Sequence, residues 1–343
     1  MSNHTFTVIG ASIIKNIIEQ HPHEIYNIVK DTYLAHGAGK TINPNSYFMR
    51  FPNHPQSRII ALPAALTENN PIAGIKWIGS NPDNIHHGIE RASATIILND
   101  YVTKYPIACL EGSLISAART ACSAVLAAEY FLKSRASIEC LGVIGCGPIA
   151  GTTIKIFRQM GWKINKIRLY DLMPERTQSF ISIYGDNDLT FEIASSSNEL
   201  IQNSEVILFA TSASKPYIID TKLFKHSPIV LHISLRDLSE NIILESNNIV
   251  DDIDHILNAN TSIHLAYQRQ KNLDFIQGTI VNLIEDTAHF NPNKPYVYSP
   301  MGLGVLDIAL AYYIYEKAID LNIATYITDF FPQHSKESKH DAS

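Results

Sequence analysis

A glycine-rich turn between an apolar strand and a helix constrains the fold of this chain more than any other feature. The turn reads Gly145-Cys146-Gly147-Pro148-Ile149-Ala150 and follows an apolar run that begins at Ile138. In a Gly-x-Gly-x-x-Ala turn, the first glycine permits the tight bend and the second lets the backbone approach a pyrophosphate. The small last residue lets the helix pack on the strand, and the phosphates bind the free amides at the positive end of that helix. The turn therefore predicts a dinucleotide-binding unit.

An acidic residue stands where such a unit needs one, at the end of the next strand. Asp171 ends the apolar segment 166–171, 21 residues after Ala150, close to the ~20 residues expected for a carboxylate that binds the adenosine ribose. Its charge would repel a 2′-phosphate, so NAD is the expected cofactor rather than NADP. Arg176 is near enough in the sequence to accommodate a phosphate. The alternative interpretation is a packing turn with an incidental aspartate.

Strands and helices alternate through the middle of the chain. Apolar strands are predicted at 166–171, 205–210 and 228–233, and a helix is predicted from the glycine turn to about Met160. Near-continuous apolar strands that alternate with helices are typical of a parallel sheet covered on both faces. We therefore predict an α/β fold with a Rossmann-type, doubly wound parallel sheet.

The beginning of the chain predicts a second unit of α+β type. An apolar-periodic stretch from Ile14 to Leu34 predicts a helix, and an apolar stripe at helical spacing from Leu114 to Leu132 predicts another. Between them, the short apolar runs 58–62, 72–78 and 94–98 are broken by Pro, Asn and Gly. These runs predict strands of a mostly antiparallel sheet.

The end of the chain is expected to return to this second unit, which makes it discontinuous. Residues 301–323 are apolar, rich in Tyr and helical in pattern, and they follow a Pro-rich loop. The predicted boundaries are 1–117 with 301–330 for the discontinuous α+β domain, 118–300 for the NAD-binding domain, and 331–343 for a flexible tail.

Composition excludes several classes of function. The net charge of −6 argues against a protein that binds nucleic acid or an anionic membrane, since both need a basic face. No apolar run approaches the ~20 residues of a membrane span, and residues 1–10 lack the features of a signal peptide, so a cytoplasmic location is expected. The four Cys form no Cys-x-x-Cys pair and the 14 His show no His-Glu-x-x-His spacing. We therefore expect neither disulfides nor a metal site.

Three cations in or near the α+β unit are candidates for binding an anionic substrate. Lys76 interrupts an apolar strand, where an ammonium must be paired or hydrated. Arg119 lies one step from the apolar helical stripe, and Arg50 follows Tyr47-Phe48-Met49. The alternative for each is a solvated charge or a structural ion pair, with Glu111 or Glu90 as the partner.

Segments around these cations resemble the ornithine cyclodeaminase/mu-crystallin family. The resemblance extends over about 47–323 and is carried by Gly74-Ile75-Lys76-Trp77, Asn81-Pro82-Asp83-Asn84, Glu90-Arg91-Ala92-Ser93, Ile97-Leu98-Asn99-Asp100, Pro106-Ile107-Ala108 and Ser116-Ala117-Ala118-Arg119-Thr120. Within the family, the chain is most similar to the branch that makes 2,3-diaminopropionate for siderophores. That similarity is carried by Trp77-Ile78-Gly79-Ser80, Ile144-Gly145-Cys146-Gly147 and Ser299-Pro300-Met301-Gly302.

The resemblance implies roles for individual residues. Arg50, Lys76 and Arg119 match positions that bind the substrate carboxylate, Asp237 matches the catalytic aspartate, and Lys76 is also expected to act in catalysis. The positions that line the cofactor match Arg91, Arg119, Thr120, Gly145, Gly147, Ile149, Ala150, Asp171, Ser212, His232, Ser234 and Leu235. Family knowledge places the active site between the two domains and gives the first domain a role in substrate binding and dimerisation. A homodimer is therefore expected.

The stretch around Asp237 departs from the cyclodeaminases of this family. They carry Gly-Gly-Asp and a nearby Lys, whereas this chain has Ser234-Leu235-Arg236-Asp237 and Glu240. Arg236 is thus a candidate to bind an extra carboxylate of a glutamate moiety. Asp237 follows the strand 228–233, near the sheet edge at which ligands bind, and the cations are expected to keep it ionised. The alternative for Asp237 is a helix N-cap or a turn aspartate.

The resemblance implies an NAD-dependent oxidoreductase acting on a CH–NH bond. The expected reaction converts N-(2-amino-2-carboxyethyl)-L-glutamate to 2-oxoglutarate and L-2,3-diaminopropionate, by hydride transfer and then imine hydrolysis, in siderophore or related biosynthesis. Alternatives within the family are ornithine cyclodeaminase, ketimine reductase and amino-acid dehydrogenase. A further alternative is a non-catalytic, mu-crystallin-like protein that binds a nucleotide, against which Lys76, Arg119 and Asp237 argue.

Overall fold

Two eight-stranded β-sheets organise the chain, as described for residues 5–133, 135–186 and 188–332 by a computed structural model. The strands are β1 (Phe6–Ile9), β2 (Thr41–Ile42), β3 (Tyr47–Phe51), β4 (His54–Leu66), β5 (Ile72–Ser80), β6 (Ala92–Asp100), β7 (Pro106–Glu111), β8 (Ser137–Ile138), β9 (Leu141–Ile144), β10 (Lys163–Ile164), β11 (Ile167–Tyr170), β12 (Phe191–Ile193), β13 (Val206–Phe209), β14 (Ile229–His232), β15 (Asn247–Val250), β16 (Ile276–Thr279), β17 (Tyr296–Ser299) and β18 (Thr325–Ile327).

Helices connect and cover these strands. The α-helices are α1 (Ala11–Gln20), α2 (Pro22–Gly37), α3 (Ser113–Phe131), α4 (Pro148–Gln159), α5 (Pro174–Tyr184), α6 (Ser197–Gln202), α7 (Glu240–Leu244), α8 (Ile253–Ile256), α9 (Ser262–Gln270), α10 (Ile280–Ile284) and α11 (Gly304–Asp320). Two 3-10 helices span Pro82–His87 and Thr221–Phe224. None of the helices in the described ranges is long and apolar enough to cross a bilayer.

The second sheet is entirely parallel, which confirms the predicted Rossmann-type α/β fold. Its order is β12-β11-β9-β13-β14-β17-β15-β16. Every residue of β9, β13, β14 and β15 is buried, because helices cover both faces of a doubly wound sheet. In such a sheet the carboxyl ends of the strands meet at one edge, where the glycine turn and Asp237 follow β9 and β14.

The first sheet is antiparallel apart from the β1–β7 pair, as the alternating runs predict. Its order is β18-β1-β7-β6-β5-β4-β2, and β3 also pairs with β4. One face of β4 to β6 packs against α11, where an added Cβ on Gly74 would contact Ile308. On the opposite face, Tyr47, Met49 and Trp77 are exposed.

Two predicted elements are interrupted in the structure. The helix predicted at 14–34 is divided into α1 and α2, because Pro22 lacks an amide hydrogen and fits only the first turn of a new helix. The apolar run predicted at 138–145 forms the two short strands β8 and β9. β8 pairs with β10 outside the large sheets, whereas β9 occupies the centre of the parallel sheet.

The last helix and strand of the chain pack on the first sheet. α11 lies against β4, β5 and α2, and β18 pairs with β1. The domain boundaries given above stay a prediction. Phe331 and Pro332 are the last described residues, so most of the predicted tail, 333–343, lies outside the described part of the chain.

Candidate active site

The glycine turn after β9 has the open backbone that a pyrophosphate needs. Gly145 has a φ of +94°, and an added Cβ would lie 2.6 Å from the carbonyl oxygen of Ala210. A side chain is therefore excluded at Gly145 by backbone strain and by contact with Ala210, which follows the neighbouring strand β13. A Cβ on Gly147, by contrast, would meet nothing within 4 Å. The turn thus leaves space beside its backbone at the start of α4, where a phosphate would bind.

Asp171 lies against this turn. Its Oδ2 accepts a hydrogen bond of 2.8 Å from the amide of Cys146, and its Oδ1 accepts one of 3.0 Å from the amide of Met173. Ala150 is fully buried in the first turn of α4, as close packing of helix on strand requires. The space beside Gly147, the buried Ala150 and the carboxylate of Asp171 fit a dinucleotide at this turn.

Asp237 is completely buried at the carboxyl edge of the parallel sheet. The hydroxyls of Thr211 and Ser234 donate hydrogen bonds to its carboxylate. His232 Nε2 lies 3.2 Å from its Oδ2, and Nδ1 of the same ring lies 3.2 Å from the Ser299 hydroxyl. The site therefore holds one carboxylate surrounded by hydrogen-bond donors.

Those donors keep Asp237 ionised. Burial alone raises the pKa of the carboxyl, but His232, Ser234 and Thr211 together outweigh burial and lower it below the usual range. The pKa of Asp237 is thus lowered mainly by these donors, and among the expected cations Arg236 interacts with it electrostatically. The N-cap alternative is wrong, because α7 is preceded by Ser239 and the Asp237 side chain turns inward. Sequence reasoning missed Thr211, which lies after β13 rather than β14.

Lys76 and Arg119 converge on a carboxylate that sequence reasoning also missed. Lys76 Nζ lies 2.6 Å from Asp307 Oδ2, and Arg119 Nε lies 3.2 Å from Asp307 Oδ1. Asp307 is completely buried in the first turn of α11. The structural ion pair offered as the alternative is thus formed, but its carboxylate is Asp307 rather than Glu111 or Glu90. Glu111 instead accepts hydrogen bonds from the first amides of α3. The sequence did contain a signal for this residue, because Asp307 is a charged residue inside the apolar run that begins Val305-Leu306.

The electrostatics of this group depend on burial. Burial lowers the pKa of Lys76 to about 8, although Asp307 opposes the shift. Burial raises the pKa of Asp307, but Arg119 and Lys76 outweigh it, so the carboxylate stays ionised. Ser116 lies 3.1 Å from Lys76 Nζ and accepts a hydrogen bond from it. Two cations and one carboxylate leave this group with one positive charge to offer to an anionic ligand.

The structure places Arg50 in a different group of cations. Arg50 on β3 lies directly opposite Arg58 on β4. Burial lowers the pKa of Arg58, and repulsion from Arg91, Arg236 and Arg50 lowers it further. We call these four residues the arginine cluster. Arg50 and Arg58 come from the first sheet and Arg236 from the loop after β14 of the second. The cluster therefore includes residues of both sheets. Asp307 pairs with Lys76 and Arg119, whereas Arg50 lies opposite Arg58, and a shared role of the three cations in substrate binding stays a prediction.

The loop that carries Arg236 has a strained backbone. Leu235 has a φ of +69°, a conformation that costs a residue with a Cβ about 1–2 kcal/mol. Its carbonyl accepts a hydrogen bond from the amide of Ser262, and Arg236 donates from Nε and Nη2 to the carbonyl of Ala259. The cyclodeaminases have glycine in this stretch. Strain of this kind is concentrated at functional sites, where surrounding contacts maintain it.

The remaining predicted residues lie around this edge with fewer contacts. Thr120 donates a hydrogen bond to the carbonyl of Ser116 in its own helix. Ile149 is half-buried in the first turn of α4, and Ser212 is exposed after β13. Within the described ranges, no three His, Cys, Asp or Glu side chains are grouped so that they could hold a metal ion.

Comparison with known proteins agrees with this geometry. The model of the ornithine cyclodeaminase/mu-crystallin family matches residues 18–322. The chain belongs to this family. A relative from Staphylococcus aureus, N-((2S)-2-amino-2-carboxyethyl)-L-glutamate dehydrogenase, is 28% identical over 94% of this chain and 98% of that protein. The resemblance seen in the sequence is thus confirmed.

Solved structures confirm the fold. The Δ1-pyrroline-2-carboxylate reductase of Thermococcus litoralis, in complex with NADH and L-proline, superposes with a TM-score of 0.85 at 22% identity, over 94% of this chain and 100% of that chain. An archaeal alanine dehydrogenase dimer with bound NAD superposes with a TM-score of 0.84 at 22% identity, over 95% of this chain and 100% of that chain.

Proposed function

We propose that this protein is an NAD-dependent oxidoreductase that acts on the CH–NH bond of an amino-acid derivative. One observation carries the proposal: Arg236, next to the buried Asp237 of the parallel sheet, lies among arginines of the first sheet. Their electrostatic proximity supports an anion-binding surface beside Asp237, at the sheet edge that also carries the glycine turn. The roles proposed for Lys76 and Arg119 in binding the substrate carboxylate fit the single positive charge that their group retains.

The chemistry requires one oxidation and one hydrolysis. NAD, when bound at the glycine turn, accepts the hydride from the α-carbon, while the secondary amine loses a proton and becomes an imine. Asp237 then takes a proton from water as the water oxygen bonds to the imine carbon. The added hydroxyl then loses its proton to form the 2-oxo group as the C–N bond breaks, and Asp237 returns a proton to the nitrogen, which leaves as an amine, so the products are a 2-oxo acid and a primary amine.

The substrate that we propose is N-(2-amino-2-carboxyethyl)-L-glutamate, which would give 2-oxoglutarate and L-2,3-diaminopropionate. The relative from Staphylococcus aureus is named for this activity and aligns over nearly the whole of both chains. The arginine cluster supports a substrate with several carboxylates, because arginine binds carboxylates bidentately. A role in siderophore or related biosynthesis and a cytoplasmic location stay predictions.

An absorbance assay of reduced nicotinamide tests this function. Protein mixed with NAD and N-(2-amino-2-carboxyethyl)-L-glutamate is expected to produce NADH, together with equimolar 2-oxoglutarate. Ornithine, proline and alanine serve as competing substrates, because relatives in the family include a pyrroline-2-carboxylate reductase and an alanine dehydrogenase. Ammonia release from ornithine without net NADH would replace the proposal with a cyclodeaminase. Binding of NAD with no turnover of any candidate would leave a nucleotide-binding protein.

The choice of NAD over NADP can be tested at Asp171. Asp171→Ala is expected to weaken NAD binding about tenfold and to reduce the preference for NAD over NADP, since it removes both a ribose acceptor and a repelling charge. Titration of each cofactor by quenching of protein fluorescence measures the two dissociation constants. An unchanged ratio of these constants would place the ribose contact elsewhere.

We further propose that the chain forms a homodimer through the outer face of the first sheet. Tyr47 on β3 and Trp77 on β5 both lie opposite Ala61 of β4, so they form one row across the sheet. Their exposed fractions are 73% and 42%. A row of large exposed apolar side chains marks a surface for association.

A further inference from the structure

Arg58 is a half-buried cation that no sequence argument singled out. It lies directly opposite Arg50 of β3 and directly opposite Ser80 of β5. Among the residues that the structure describes, no carboxylate forms an ion pair with Arg58 or with any other member of the arginine cluster. Asp237 acts on Arg236 as an opposite charge, but the remaining positive charges repel one another and form a site prepared for an anion.

Strand geometry gives the separation between this cluster and the Lys76–Arg119 pair. Lys76 lies opposite Leu62 of β4, four residues beyond Arg58. At ~3.3 Å per residue, about 13 Å of strand separates the two positions. Even-numbered residues of β4 share one face, and directly opposed residues share a face as well. Arg58 and Lys76 therefore lie on the same face of the first sheet.

α11 covers only one end of that face. It begins at Gly304, where an added Cβ would lie 3.2 Å from Leu62 and 3.5 Å from Ala64. Its first turn carries Asp307 to Lys76. Arg58 lies on β4 beyond the start of this helix, and Ile60 and Ile78, which lie opposite each other between Arg58 and Lys76 on this face, are only half-buried. An extended ligand could thus contact both cationic groups.

The two groups differ in the charge they can accept. Asp307 neutralises one of the two cations at Lys76 and Arg119, so that group suits one carboxylate. The cluster has four unpaired arginines, of which Arg236 also donates to the carbonyl of Ala259. A ligand with one carboxylate at the Lys76 group and a second carboxylate toward Arg58 would match this distribution, because long, flexible lysine and arginine side chains shorten the distance between the two strand positions.

We propose that Arg58, together with Arg236, is a specificity-determining site that binds a carboxylate remote from the reacting carbon. It would select substrates with a dicarboxylic moiety over those with a monocarboxylic one. This inference rests on the proposed function, since it assigns the γ-carboxylate of the glutamate moiety to Arg58 and Arg236. The pyrophosphate of NAD is the competing occupant, because Arg91 of the same cluster matches a position that lines the cofactor.

The test compares two substrates that differ in one charge. Wild-type protein is assayed with N-(2-amino-2-carboxyethyl)-L-glutamate and with its glutamine counterpart, in which a neutral amide replaces the γ-carboxylate. Arg58→Met is expected to lose about 10–100-fold in kcat/KM on the glutamate substrate, as for one or two charge-assisted hydrogen bonds, and much less on the glutamine substrate. Arg236→Ala is expected to behave likewise, and Arg58→Lys to recover part of the loss.

Three results would overturn the inference. An equal loss on both substrates would mean that Arg58 supports the fold, and an increase in the dissociation constant for NAD would assign Arg58 to the pyrophosphate. The third is an equal loss in Arg158→Met, which makes the same change in net charge at an exposed position in the last turn of α4. That result would show that the loss of kcat/KM in Arg58→Met comes from the change in net charge at long range and not from contact with the carboxylate.

A binding measurement separates this inference from the proposed function. In the presence of NADH, calorimetry compares 2-oxoglutarate with 2-oxopentanoate, which lacks the second carboxylate. Tighter binding of 2-oxoglutarate that disappears in Arg58→Met supports the anion site even if N-(2-amino-2-carboxyethyl)-L-glutamate is not turned over. Turnover of that substrate with no difference between the two oxo acids would support the proposed function and overturn the role of Arg58.

Discussion

Asp237→Asn is expected to bind NAD as tightly as the wild type and to lose about 10²–10⁴-fold in kcat, the usual contribution of a general base. The substitution keeps the size of the side chain, but the Thr211 and Ser234 hydroxyls donate to different carboxylate oxygens, so one of them must rotate to accept from the new amide nitrogen. It removes the negative charge that takes the proton from water. Steady-state NADH formation gives kcat, and fluorescence quenching gives the dissociation constant of NAD. Wild-type turnover in this variant would exclude Asp237 as the base.

Ser234→Ala provides a second test, because the pH profile of kcat should change in this variant only if Asp237 takes part in catalysis. The Ser234 hydroxyl is one of the donors that lower the pKa of Asp237 below its usual range. Its removal raises the pKa, so the carboxylate is protonated at a higher pH. Since the base must be ionised, the acid limb of the kcat profile should move to higher pH. A uniform decrease in kcat with an unmoved acid limb would argue that Asp237 acts only in the fold.

Local sequence patterns predicted much of this site, because each pattern lies within one continuous segment. The glycine turn, Asp171 and Asp237 follow strands whose apolar character is visible in the sequence. Sequence reasoning missed Asp307, since its partner Lys76 is 231 residues away and the pairing depends on how α11 crosses the sheet. Arg58 was missed for a related reason. Its neighbours come from three other segments, and only the register of β3 on β4 brings it opposite Arg50.

Asp307→Asn is expected to destabilise the protein by about 3–5 kcal/mol near neutral pH, the usual cost of removing one partner of a buried ion pair. Lys76 and Arg119 would then remain buried without their counter-charge. Asp307 also opposes the effect of burial on Lys76, so its removal lowers the pKa of Lys76 further. Urea unfolding gives the free energy of unfolding, and kcat/KM as a function of pH follows the protonation of Lys76. Unchanged stability would show that the pair is not formed in solution.

The pH dependence of stability and that of activity should have opposite signs. Burial lowers the pKa of Lys76 from the ordinary lysine value of 10.5 to about 8 in the folded protein. Between these values the unfolded chain binds more protons, so the Lys76 contribution to stability rises with pH. Substrate binding needs the ammonium, so kcat/KM should fall as pH rises through about 8. In Asp307→Asn, where the pKa of Lys76 is lower, the rise in stability and the fall in kcat/KM should both begin at lower pH. Lys76→Met, which has no group to titrate, should remove both, and persistence of either change would assign it to another residue.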